Sequence, residues 1–324
     1  MSNSWRALAR KCEDRIRGLR DDAWATILNL WYLRLQALAH MRLYNQATVE
    51  CSNLWAVLES QDPIMDDADR DFDVFEHAVS FELLVFRART SYYVKDPHDY
   101  LDQLVVLRDT CLIRAKDASR GPNGKEEVEL WKERCARVGL LMASQLFEML
   151  DFKGARRILH DLSTTNASGA PSAKLLSGLG RLQLEAGDTA SANSYFQQSA
   201  TLHDATDQSR GIDSALLAVA RGEWTGAERL LRGVLKTYPD DVVAINALSV
   251  ALLNLGKLDE SVQVLESVLK TSPSTLVVAE PLVFNLATLY ELKSSTAPAK
   301  KRELLIETAK WSGDGFRASA LKLS

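Results

Sequence analysis

The chain has 324 residues, 46% of them hydrophobic and 25% charged, with a formal net charge of −4. That composition supplies a buried core and an ordinary surface, and its acidic balance argues against general nucleic-acid binding, which needs a basic footprint. No apolar run approaches the ~20 residues that cross a bilayer, and the basic N-terminus carries no signal-peptide core, so a soluble, cytoplasmic protein is expected, peripheral to membranes at most. Cys12, Cys51, Cys111 and Cys135 lie far apart without paired spacing, which suggests neither a zinc site nor a disulfide framework and fits a reducing compartment.

In chain order, the first predicted element is a helix over 4–20. Trp5, Leu8, Cys12, Ile16 and Leu19 fall on one stripe, with Arg6, Arg10, Lys11, Arg15, Arg17 and Arg20 elsewhere. Its basic face could meet an anionic membrane or an acidic partner. A cap over the following helices is the preferred reading, because helical arrays need covered ends. Helical periodicity then divides the chain into pairs at 22–40/43–59, 72–94/98–116, 128–149/152–163, 172–186/189–203, 209–221/224–237, 242–255/258–271 and 277–293/299–310, with a short helix near 314–321. Trp24 and Trp31 share a stripe with Leu28, Leu35 and Leu38 and read as core. Trp5, Trp55 and Trp311 are open to partner binding. Residues 59–76 are strongly acidic, with Glu59, Asp62, Asp66, Asp67, Asp69, Asp71, Asp73 and Glu76. Loop compositions occupy 60–70, 117–126 and 163–172.

The later pairs repeat. Arg221–Ala227 recurs as Leu255–Ser261, 34 residues on, and Pro239 and Pro273 keep the same interval. Ala186–Ala192 lies 35 residues upstream of the first of these, Met149–Ala155 a further 37, and Met41–Ala47 is a similar turn near the start. Each turn ends in a small residue, Ala47, Ala155, Ala192, Ala227 or Ser261, where the second helix must cross the first closely. Gly187, Gly222 and Gly256 stand where the first helix ends, a position favouring a left-handed residue. A period of 34 with this pattern marks tetratricopeptide repeats. The expected fold is all-α, helix-turn-helix repeats stacked into a right-handed superhelical solenoid. Spacing is weaker before residue 120, so the expected organisation is a degenerate N-terminal portion with its basic cap over 1–116 and a continuous array over 117–324.

No catalytic constellation emerges. The five histidines are scattered and none has the i, i+4 spacing of a helical metal site. His160-Asp161 are adjacent and point in different directions on a helix. Gly121-Pro122-Asn123-Gly124-Lys125 lacks the spacer and Ser/Thr of a phosphate loop. Gly178 and Gly180 fall inside a helix, Gly180 as a mark of close packing. The Asn166-Ala167-Ser168 sequon has no meaning outside the secretory lumen. The chain reads as a non-enzyme without metal, cofactor or small-molecule ligand.

The concave face of such an array is lined by the first helix of each pair. Here that places Ile212, Leu216, Val219, Val243, Asn246, Val250 and Leu253 in a candidate partner groove. Capture of a terminal carboxylate would need fixed Lys, Arg and Asn donors. This groove is mostly apolar, and Asp213 adds negative charge, so a carboxylate clamp is disfavoured. An apolar groove open to water invites an occupant: a partner helix, another subunit, or the chain's own N-terminal part.

The last fifty residues carry a more specific pattern. Val283-Phe284-Asn285-Leu286-Ala287-Thr288-Leu289-Tyr290-Glu291-Leu292-Lys293, then Lys300-Lys301, Leu304-Leu305, Gly313-Asp314-Gly315-Phe316 and Leu321-Lys322-Leu323 resemble the C-terminus of the subunit 12 family of TRAPP, the trafficking protein particle. The 244–261 and 218–224 stretches are similar too. The resemblance is strong over about 210–323 and stays at repeat level upstream. It implies a peripheral helical adaptor bound to other TRAPP subunits, in a particle that tethers vesicles in ER-to-Golgi traffic and autophagy, near ER and Golgi membranes. It also implies that nucleotide exchange belongs to other subunits, and it transfers no catalytic residue. Family members often carry an N-terminal extension; this sequence opens almost at once on a helix, so roles attached to that extension are not expected of it. A vesicle-coat subunit similar to coatomer epsilon is the alternative.

Overall fold

The computed structural model describes residues 4–20, 23–61, 79–120, 124–164, 172–293 and 296–322. Among them the secondary structure is helical: α1 Trp5–Arg17, α2 Trp24–His40, α3 Tyr44–Gln61, α4 Phe81–Tyr93, α5 Pro97–Ala118, α6 Gly124–Glu148, α7 Phe152–Thr164, α8 Ala173–Glu185, α9 Thr189–Thr201, α10 Asp207–Ala220, α11 Trp224–Thr237, α12 Val242–Asn254, α13 Leu258–Thr271, α14 Pro273–Val278, α15 Glu280–Lys293 and α16 Ala297–Ala309, closed by a 3-10 turn at Ala318–Leu321. The fold is all-α and repeat-built, as periodicity predicts. The differences are local. A short helix, α14, precedes the last pair, Pro273 opening it at a position where the missing N–H costs nothing. The final element is a 3-10 turn. Most of the acidic 59–76 stretch, the Gly121–Asn123 part of the loop and the sequon lie outside the described residues.

Local chemistry explains the helix ends. Asp96, Asp188 and Asp241 accept hydrogen bonds from the backbone N–H groups of Asp99, Ser191 and Ala244 at 3.0, 2.9 and 2.7 Å, and Thr206 accepts from Ser209 at 3.1 Å. These fill orphan donors of the first turn. Pairs turn on a single left-handed residue. Gly187, Gly222 and Gly256 have φ of 80°, 74° and 74°, and Arg42, Lys95 and Leu150 have φ of 62°, 65° and 63°. In five of these turns the next residue's N–H reaches back five positions, as Leu43 to Leu38, Asp96 to Ser91, Asp188 to Gln183, Glu223 to Ala218 and Lys257 to Leu252. That is the Schellman closure. The crossing residues Ala47, Ala155, Ala192, Ala227 and Ser261 are all fully buried, at 0% exposure.

The chain forms two compact units. The first holds Asn3–Leu150 with Gly313–Gly315, the second Asp151–Ser312 with Phe316–Ser324. The boundary between the units lies at Leu150/Asp151, and α5 and α6 pack against each other within the first unit. In the first unit, Leu28, Leu35, Leu38, Ala47, Trp55, Leu83 and Phe86 form the core, with Trp24 and Trp31 packed against it. In the second, α10–α12 share one apolar cluster around Ala227, Leu231 and Leu248. Another, around Leu265, Leu286 and Leu304, binds α12, α13, α15 and α16 to the closing turn.

Candidate partner groove

The seven predicted groove residues sit on α10 and α12, both in the second unit. Val243 is exposed, while Leu216, Val219, Val250 and Leu253 are half-buried. Ile212 is different. At 5% exposure it belongs to the core with Ala215 and Leu231 and offers a partner almost nothing. Asn246 is half-buried and already engaged: the Asn285 side-chain amide donates to its Oδ1 at 2.6 Å, tying α12 to α15. The accessible part of the groove is therefore an apolar strip.

Asp213 does not charge this strip. Its carboxylate is buried at 3% exposure and accepts from Ser177 Oγ at 2.9 Å and from Arg181 Nη2 at 3.1 Å. A buried carboxylate needs such a partner, and sequence spacing gave no sign that Arg181, 32 residues earlier, supplies it. Two surrounding contacts also fasten α8 to α9: Ser199 Oγ donates to the Ala173 carbonyl at 2.9 Å, and Phe196 fills the space over Gly180.

The far end of the second unit is held by a charged knot that sequence reading missed. Lys301, 7% exposed, donates to Glu291 and, at 2.8 Å, to the Lys322 carbonyl. Lys322 itself donates to Glu291 at 2.6 Å and lies over the Phe284 ring. The hydrogen bond from Lys301, with that from Lys322, holds the Glu291 carboxyl below its ordinary value. Nearby, burial first and then the Glu266 carboxylate push the Tyr290 phenol up, so it remains a donor to Glu266 at 2.9 Å.

In the first unit α1 packs on α2 and buries Ala9 and Cys12. Trp5 stacks on His40 with ring centres 4.2 Å apart. Arg34 fixes this arrangement, donating to Ala9 O at 3.0 Å and Glu13 at 2.9 Å on α1, and to both Glu50 oxygens at 2.7 and 2.8 Å on α3. Arg6, Arg10, Lys11 and Arg17 remain exposed on the outer side of α1. Of the three tryptophans open to partners, Trp55 is buried beneath Arg87 and Trp311 is 54% exposed.

Burial lifts the Cys51 and Cys111 thiols to about 11, far from the thiolate a nucleophile needs. Among the described residues no three His, Cys, Asp or Glu side chains are placed to hold a metal ion, and no helix is long and apolar enough to cross a membrane.

Residues 218–279, spanning α11 to α14, match the tetratricopeptide repeat model. Over 92% of its length the chain is 29% identical to trafficking protein particle complex subunit 12 of Homo sapiens and 28% identical to that of Mus musculus. Its curated relatives are subunit 12 proteins. The chain spans 42% and 39% of their lengths, so it corresponds to less than half of each. Among solved structures the yeast Tom70 crystal structure is similar at 10% identity, covering 95% of this chain and 74% of that one, with a TM-score of 0.47.

Proposed function

We propose that this chain is a non-catalytic tetratricopeptide adaptor that docks other subunits of the trafficking particle. It works in ER-to-Golgi traffic and autophagy, at the cytoplasmic face of ER and Golgi membranes without entering them. The observation that carries the reading is the similarity to subunit 12 proteins along nearly the whole chain. An array surface supports it. Val243, Leu216, Val219, Val250 and Leu253 present an apolar strip, suited to a helix or apolar segment of a partner rather than a chain terminus. Arg181, on the neighbouring helix α8, is committed to Asp213.

The test is affinity capture with the tagged chain from cell extract, followed by mass spectrometry. Recovery of trafficking-particle subunits is expected, with Val243→Glu plus Val250→Glu reducing it several-fold while the melting temperature stays within a few degrees. A folded chain that recovers none of them overturns the proposal, and recovery of coatomer instead would redirect it to a vesicle coat.

A further inference from the structure

Between Arg6 and Arg17, α1 carries five basic residues against two acidic ones, in a chain whose total charge is −4. The fold uses the apolar side of this helix. Ala9 and Cys12 are buried as α1 packs on α2, and Trp5 is stacked on His40. The basic side chains are left over. Arg6, Arg10, Lys11 and Arg15 are exposed, and among the described residues their side chains make no ion pair or hydrogen bond. Glu13, one of the two carboxylates that could neutralise them, is taken by Arg17 and Arg34. With 3.6 residues per turn, Arg6, Arg10 and Arg17 run along one line of the helix, and Lys11 and Arg15 along a second about 140° round it. From Arg6 to Arg17 this basic ridge extends over about 17 Å of helix axis.

Such a ridge meets a broad anionic surface better than it clasps one ligand. Recognition of a single carboxylate or phosphate favours cations fixed in advance, as Arg34 is fixed by both oxygens of Glu50. The four free cations of α1 have no such support, so ordering them round one acidic peptide costs side-chain entropy at every position. A fluid membrane demands less, because its anionic headgroups move to meet whichever rotamers the side chains adopt, and many weak pairs add up. A nucleic acid would run beyond the helix to a remainder of the chain that is net acidic, where it is repelled.

We propose that the outer face of α1 is a contact for membranes bearing anionic lipid, made by Arg6, Arg10, Lys11 and Arg15 with the headgroups and without insertion of the helix. It goes beyond the docking of other subunits and does not depend on it, the groove strip being on α10 and α12. The packing of Trp5, Ala9 and Cys12 keeps the apolar side of the helix out of the acyl region, where an inserting amphipathic helix would place it. The contact is therefore electrostatic and screened by salt.

The test is flotation of the full chain with large unilamellar vesicles. Binding is expected to phosphatidylcholine vesicles containing about 30% phosphatidylserine and not to phosphatidylcholine alone, and it should be lost at about 0.5 M salt. Each basic residue near such a surface contributes about fivefold to partitioning, so Arg6→Gln, Arg10→Gln and Arg15→Gln together should weaken binding by about a hundredfold. These side chains have no partners to lose, so the triple variant should keep the parent's circular dichroism and melting temperature. Removing three charges at the exposed Lys116, Lys125 and Lys153, each to Gln, should change binding far less. Polyglutamate at equal charge should not displace the chain from the vesicles. The proposal is overturned by no binding to either vesicle, by equal binding to both, by binding that survives high salt, or by a folded α1 triple variant that floats as the parent does. Equivalent losses in the two triple variants would overturn it as well, and displacement by polyglutamate would reassign the face to an acidic peptide.

Discussion

Gly178 and Gly180 are two residues apart in α8 and answer to different constraints. A Cβ on Gly180 would lie 2.3 Å from Phe196 Cε1, whereas one on Gly178 would meet nothing within 4 Å. Gly180→Ala should therefore destabilise by about 1–3 kcal/mol, the cost of overpacking a filled contact. Gly178→Ala should stabilise by about 0.5–1 kcal/mol, since an interior helical glycine only adds freedom to the unfolded chain. Urea unfolding of the two variants checks this, and equal losses at both positions would show that Phe196 is not the constraint. Glycine inside an apolar helical stripe does advertise close approach, but the approaching group lies on the next helix. Asp213 shows the same limit: its position on the stripe is legible, and the Arg181 that neutralises it is not.

At the scale of elements, the turns explain why the N-terminal pairs look degenerate. Arg42, Lys95 and Leu150 occupy the same left-handed turn position as Gly187, Gly222 and Gly256, so the geometry persists where the glycine signature is absent. A side chain there costs roughly 1–2 kcal/mol. Lys95→Gly should recover up to about 1 kcal/mol of that, seen as a raised urea midpoint with unchanged slope, and a lower midpoint would mean that Lys95 makes contacts outweighing its backbone. The Glu291 knot adds a pH dependence at the other end of the chain. Its folded value is depressed, so the stability it contributes is present above the ordinary glutamate value of about 4.3 and is lost as pH falls through the lower folded one. Hydrogen-exchange protection factors in α15, α16 and the closing turn should fall selectively on acidification. Glu291→Gln should raise exchange there at neutral pH and remove the acid step, and exchange that ignores both changes would rule out the knot as the clamp.

For the molecule as a whole, stacking means that each pair is supported chiefly by its neighbours. Ala227 is fully buried where α11 crosses α10, and Ala227→Trp should splay that pair at a cost of about 1–3 kcal/mol or more. Hydrogen exchange should rise in α8–α9 and α12–α13 while α16 is spared; an unchanged melting temperature would show that the crossing lies elsewhere. The helical class, most of the pair boundaries to within a few residues and the buried small residues Ala47, Ala155, Ala192, Ala227 and Ser261 were legible in the order of the amino acids. The reason is that helix periodicity, capping and turn conformation act over a handful of neighbouring positions. Contacts between groups tens of residues apart were not legible. The division at Leu150/Asp151, the burial of Ile212, the engagement of Asn246 by Asn285 and the Arg34 and Glu291 clusters all depend on which faces meet when helices pack. Periodicity says that a face is apolar; packing alone says what lies opposite it.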